Sequence, residues 1–159
     1  MLFRSHPTAS FTKKWVVFAS NRKGSQNSTD LWYVQRRADG SYSSARPLYG
    51  ANTYCDEISP WFIQQPQLAL LFSSAGHSSF GGYDVFRAEL VEEFDSLRVT
   101  TVANMGSPIN SPADEIFPTS LSQGTGFYVA SNRRDGRDSS RRDFDVFVAY
   151  RSEEHTSEL

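Results

Sequence analysis

The segment Leu70-Leu71-Phe72-Ser73-Ser74, followed by a polar loop and Asp84-Val85-Phe86, occurs along this chain in three versions. The first is Trp15-Val16-Val17-Phe18-Ala19-Ser20-Asn21-Arg22 with Asp30-Leu31-Trp32-Tyr33-Val34. The third is Phe127-Tyr128-Val129-Ala130-Ser131-Asn132-Arg133 with Asp145-Val146-Phe147-Val148-Ala149-Tyr150. Ser20 to Asp30 and Ser74 to Asp84 each span ten positions, and Ser131 to Asp145 spans fourteen. A second element is interleaved with the first. Asn52-Thr53-Tyr54-Cys55-Asp56-Glu57-Ile58-Ser59-Pro60 matches Asn110-Ser111-Pro112-Ala113-Asp114-Glu115-Ile116-Phe117-Pro118, 58 residues on. Two interleaved motifs sharing a period of 54 to 61 residues mean internal repetition.

Within a unit the apolar runs are short, rich in Val, Phe, Tyr, Trp and Leu, and bounded by Gly, Ser, Asn and Asp. That is the signature of strands, and the runs are too short for helices. The second unit predicts strands at 58–63, 69–74, 84–90 and 97–103, with a hairpin connection at Asp95-Ser96. Several runs are continuously apolar, as expected of sheets packed on both faces. The fold class is all-β, with four antiparallel strands per unit.

Composition narrows the function. The 159 residues carry 16 Lys+Arg against 18 Asp+Glu, a net charge of −2, which gives no electrostatic case for binding nucleic acid. No apolar run is long enough for a membrane-spanning helix, and Met1 to Ser10 lacks the apolar stretch of a signal peptide. One Cys and three His make a zinc site unexpected. No other metal and no cofactor is expected either.

The last nine residues, Arg151 to Leu159, resemble the in-frame translation of a sequencing adapter; a natural solvated tail is the other reading. The tail holds one basic and three acidic side chains, so leaving it out brings the net charge from −2 to zero. The expectation is one domain over 1–150, with units near 7–48, 52–104 and 110–150, in a protein that continued past Tyr150.

Leu71-Phe72-Ser73-Ser74-Ala75-Gly76-His77 with Phe80-Gly81-Gly82-Tyr83-Asp84-Val85-Phe86 resembles the blade of TolB-type, WD-repeat-like β-propellers. Met105 to Glu115 resembles the inter-blade segment of the same family. The resemblance implies a partial β-propeller of four-stranded antiparallel blades, about two and a half of them, with the ring not closed. The subgroup it is most similar to occurs in envelope proteins of Bacteroidota joined to OmpA-like peptidoglycan-binding domains, some in gliding or type IX secretion machinery. It implies a periplasmic or outer-membrane-associated location and a non-enzymatic scaffold for protein partners. The alternative is the propeller portion of a hydrolase, peptidase or glycosidase, whose catalytic residues lie elsewhere. The third loop departs from the family pattern, with an Arg/Asp-rich insertion in place of Gly-Gly-Tyr.

No catalytic residue is expected in the chain. Ser20, Ser74 and Ser131 end strands while Asp30, Asp84 and Asp145 open them, and a residue found in every unit reads as structure. Gly81-Gly82 reads as a turn with positive φ rather than a phosphate cradle. For Asp56-Glu57 and Asp114-Glu115 two readings stand: a loop-to-strand junction held by carboxylate hydrogen bonds, or pairs converging to bind a cation or a partner's amino group. Cys55, aligned with Ala113, fills a small-residue position, and His77 reads as solvated. For the third loop, with Arg133, Arg137 and Arg141, two readings stand: a merely solvated charged loop, or a surface that engages a partner's carboxylates. Because connections alternate between the ends of a meander, the Asp-Glu segments and the Ser-to-Asp loops are expected at one end.

Overall fold

Wherever Val, Leu, Phe, Tyr and Trp recur between polar punctuators, the chain is extended. The structure, a computed structural model, describes residues 4–26, 28–63, 67–121, 126–134 and 143–150. Arg137, Arg141 and the tail Arg151 to Leu159 lie outside the described residues. Eleven strands are described: β1 (Arg4–Ala9), β2 (Trp15–Ser20), β3 (Asp30–Gln35), β4 (Arg46–Pro47), β5 (Glu57–Ile63), β6 (Ala69–Ser74), β7 (Asp84–Glu93), β8 (Ser96–Asn104), β9 (Glu115–Ser120), β10 (Gly126–Ser131) and β11 (Asp145–Tyr150). The second unit therefore follows the sequence expectation, with longer third and fourth strands. Their hairpin turns at Phe94-Asp95, where Phe94 takes a φ of 46°.

The strands form three separate antiparallel sheets, β1-β2-β3-β4, β5-β6-β7-β8 and β9-β10-β11, each a meander in chain order. The array is open, not closed. Equivalent pairings recur: Ser20 lies opposite Asp30, Ser74 opposite Asp84, and Ser131 opposite Asp145.

Alternation along each strand sends side chains to two faces, and each sheet lays one face on its neighbour. Trp15, Val17, Leu31 and Tyr33 of the first sheet meet Leu70, Phe72, Phe86 and Ala88 of the second. The opposite face of the second sheet carries Leu71 and Val85, which meet Val129, Phe127 and Phe147 of the third. Strand β6 is buried at all six positions because both its faces are covered, which is why its run is continuously apolar. Burying a side chain such as Phe72 contributes about 2–3 kcal/mol.

The first strand of every sheet has the same irregularity. His6, Ser59 and Phe117, each just before a proline, have φ of 52°, 54° and 54°, and the strand register shifts beside each of them. Positive φ is disfavoured for residues with a Cβ, and a bulge there redirects a side chain. The His6 ring reaches Phe117 from two sheets away, with centroids 4.8 Å apart. Burial holds the His6 imidazole below its ordinary value.

Candidate functional site

The repeated polar residues gather where one sheet meets the next. Glu57 opens β5 fully buried, yet both carboxylate oxygens are engaged. Oε2 accepts the Thr53 amide at 2.8 Å, and Oε1 accepts the Thr53 hydroxyl at 2.6 Å and the Ser74 hydroxyl at 2.8 Å. Glu115, also fully buried, repeats this with the Ser111 amide at 2.8 Å and the Ser111 and Ser131 hydroxyls at 2.6 Å each. Burial pushes the Glu57 carboxyl above its ordinary value, with the Thr53 and Ser74 hydrogen bonds and nearby His77 pulling back. In the first sheet the residue in register with Ser20 is Arg4, where Glu57 is in register with Ser74.

The preceding Asp fastens this corner to the sheet before it. Thr29 N–H donates to Asp56 Oδ1 at 2.7 Å while Thr29 C=O accepts Glu57 N–H at 2.7 Å. In the next joint Tyr83 N–H donates to Asp114 Oδ1 at 2.9 Å, and its C=O accepts Glu115 N–H at 2.6 Å. Tyr83 also reaches back, its hydroxyl donating to Asp56 Oδ2 at 3.0 Å. It thus links the two acidic pairs. Burial and the Asp56 contact push the Tyr83 phenol up to about 12.

An asparagine completes each joint. Asn52 Oδ1 accepts Leu31 N–H at 2.8 Å, and its amide donates to Leu31 C=O at 3.0 Å. Asn110 does the same for Val85, at 2.8 Å in both directions. A side-chain amide here satisfies the donor and acceptor of a buried strand edge.

Asp30 and Asp84 hold the loops that precede them. Gln26 N–H donates to Asp30 Oδ2 at 3.0 Å and Phe80 N–H to Asp84 Oδ2 at 2.7 Å. Oδ1 of each is buried without a hydrogen bond. Burial raises the Asp30 pKa, the Gln26 amide opposes this, and the Asp56 charge adds to the rise. Asp145 stands in the same place but is exposed.

Three expectations need correction. Gly81 and Gly82 do not have positive φ; a Cβ on Gly81 would run into the Pro112-Ala113 backbone, and one on Gly82 into the Asp114 carboxylate. They are glycines because the next inter-sheet segment passes against them. His77 is half-buried rather than solvated. Its Nε2 lies 2.8 Å from Ala51 O, with the ring 5.0 Å from Phe86. Arg133 holds the matching place one joint on. It donates to Ser131 Oγ (3.1 Å), Pro108 O (2.8 Å) and Ile109 O, lies 3.2 Å from Glu115 Oε1, and stacks over Phe147. The joint occupies this guanidinium, while Arg134 is left exposed beside it.

The Asp-Glu segments and the Ser-to-Asp loops bond to one another directly, so they lie at one end of the sheets, as expected from the alternation of connections. An open groove of about 700 Å³ lies there, lined by Gly82, Pro112, Ala113, Asp114, Asn132 and Arg134 among others. Among the described residues no group of three acidic, His or Cys side chains is placed to hold a metal ion. No family model, no curated protein and no solved structure matches the chain.

Proposed function

We propose that the three sheets are successive blades of a TolB-type β-propeller, and that it serves as a non-enzymatic scaffold for protein partners at the cell envelope. The meander order of the sheets, their face-to-face packing and the recurring joint support the propeller. The envelope setting, periplasmic or outer-membrane-associated, rests on the sequence resemblance. The observation that carries the binding role is the division of labour at the loop end. Glu57, Glu115, Ser74, Ser131, Asn52 and Asn110 are committed to the joints. The loops beyond them differ in each unit and border the groove between Gly82, Pro112 and Arg134. Variable loops on a rigid frame are where binding tends to reside.

A photo-crosslinking residue placed at Arg134, and a second at Phe94 on the opposite end, test this against isolated envelope proteins. The proposal expects adducts of defined mass from position 134 and none from 94. Adducts from neither position, or equally from both, contradict it.

A further inference from the structure

The end of the sheets away from the Asp-Glu joints carries the first-to-second turns and the third-to-fourth hairpins. On the first two sheets these turns present three aromatic rings to solvent: Phe11 is 84 %, Tyr42 53 % and Phe94 101 % exposed. Among the described residues five that are not glycine have positive φ, and three of them are the bulges before proline. The other two, Lys13 (φ 57°) and Phe94 (φ 46°), both lie in turns at this end. Glycine takes such a backbone without strain, whereas a residue with a Cβ does not. Phe94 therefore weakens its own turn and, fully exposed, contributes no packing to the fold.

The turns form one continuous surface. Lys14 C=O accepts Arg36 N–H at 2.7 Å, Arg36 pairs with Tyr42 across its hairpin, and Arg37 Nη1 donates to Tyr42 C=O at 3.3 Å. The β7-β8 hairpin is tied to this surface by the ion pairs Lys14–Glu92 at 2.6 Å and Arg46–Asp95 at 3.5 Å. Its Glu93 is taken by Arg98 at 2.7 Å. The acids at the hairpin tip are thus neutralised. Lys13, Arg36 and Arg37 are exposed and have no ion-pair partner among the described residues. Against these three cations stands Asp39, beside Arg37 and accepting the Ser41 amide at 2.9 Å, which leaves an excess of two positive charges. The excess is local, since the chain as a whole carries −2.

We propose that this end is a peripheral docking surface for a lipid bilayer bearing anionic headgroups. Phe11, Tyr42 and Phe94 enter the headgroup layer, where aromatic rings are favoured, while Lys13, Arg36 and Arg37 meet lipid phosphates. A protein partner fits this surface worse. The core of a protein interface is contiguous and depleted of charge, whereas these rings stand on separate turns with the cations between them. The claim concerns the opposite end from the loop groove and is independent of the role proposed there.

The test mixes the full chain with vesicles of phosphatidylcholine alone, or of phosphatidylcholine with phosphatidylglycerol, and reads the bound fraction by co-sedimentation. Binding is expected for the phosphatidylglycerol vesicles only, weakening as salt is added. Lys13→Glu together with Arg36→Glu should lower the partition coefficient by about tenfold or more. Phe94→Gly relieves the strained turn, so its urea midpoint should equal or exceed that of the parent while partitioning falls by about fivefold. Binding to neither vesicle, equal binding to both, or binding undiminished in these variants overturns the proposal. Binding to soluble polyaspartate as tight as to the vesicles, and unchanged by Phe94→Gly, identifies an acidic protein surface as the occupant and also overturns it.

Discussion

The joint between the first and second sheets and the joint between the second and third are built on one polar frame but filled differently. In both, Asn bonds a strand edge, Asp and Glu grip the residue before that edge, and Glu gathers two hydroxyls. The first joint is packed with large side chains, among them Trp15, Leu48, Phe72 and Phe86. Among the described residues the second buries Leu71, Val85, Ile109 and Val129, with Phe127 and Phe147 partly buried against them. The donor that closes the joint differs too, His77 in one and Arg133 in the other. A shared set of Asn, Asp and Glu contacts around unequal fillings shows two separable jobs. Directional hydrogen bonds fix how one sheet sits on the next, and the apolar filling sets how much the contact stabilises.

The largest effect should come from the filling. Phe72→Ala is expected to destabilise by about 4 kcal/mol, because it empties a fully buried site among large neighbours. Leu71→Ala, in the thinner joint, should cost about 3 kcal/mol, toward the middle of the range for such truncations. Urea unfolding of both variants measures the gap, and a larger loss at Leu71 would break the comparison.

The frame comes next. Glu57→Ala leaves the Thr53 and Ser74 donors without their acceptor, at an expected cost of about 2–3 kcal/mol. Glu115→Ala should cost about as much, plus a contribution from the Arg133 guanidinium it leaves behind. Removing Arg133 first should then shrink the cost of losing Glu115, while removing His77 should change the cost of losing Glu57 less. A double-mutant cycle at each joint reads this, and equal couplings would show that the closing donors are interchangeable.

The smallest effect is the pH dependence of the first joint. Asp30 and Glu57 bind a proton more tightly folded than unfolded, since burial raises both. Their contribution is fully present below the ordinary carboxylate range and is lost as pH rises through their raised values. The stability of the parent relative to Asp30→Asn should therefore fall with rising pH across that window, as followed by urea midpoints. A relative stability that rises with pH would reverse the assignment.

Much of this is legible in the residues alone. Ser20, Ser74, Ser131, Asp30 and Asp84 stood out because every joint needs a held turn, and repetition preserves what every joint needs. Asn52 and Asn110 were visible as a match, but their partners lie 21 and 25 residues earlier. That pairing depends on which strands abut. His77 reads as solvated because it sits three positions after Ser74, whereas Arg133 sits two after Ser131, so the two do not align. Side chains of different length reach the same carbonyls from different starting points. The bulge at His6 was hidden for a similar reason, since Arg4-Ser5-His6-Pro7 shares little but the proline with its counterparts. Gly81 and Gly82 were legible as glycines that matter, though the cause lies in the passing Pro112-Ala113-Asp114 segment rather than in their own turn.

The claim that the Asn and Asp-Glu motif is joinery between sheets meets its most direct test at two amides. Native-state hydrogen exchange of Leu31 and Val85 can be followed in one sample, with the unaltered joint as the internal reference. In Asn110→Ala the Val85 amide should exchange faster, by about tenfold or more, while Leu31 keeps its parent rate; Asn52→Ala should show the reverse. Unchanged exchange at both amides, or equal acceleration at both in each variant, would contradict the account.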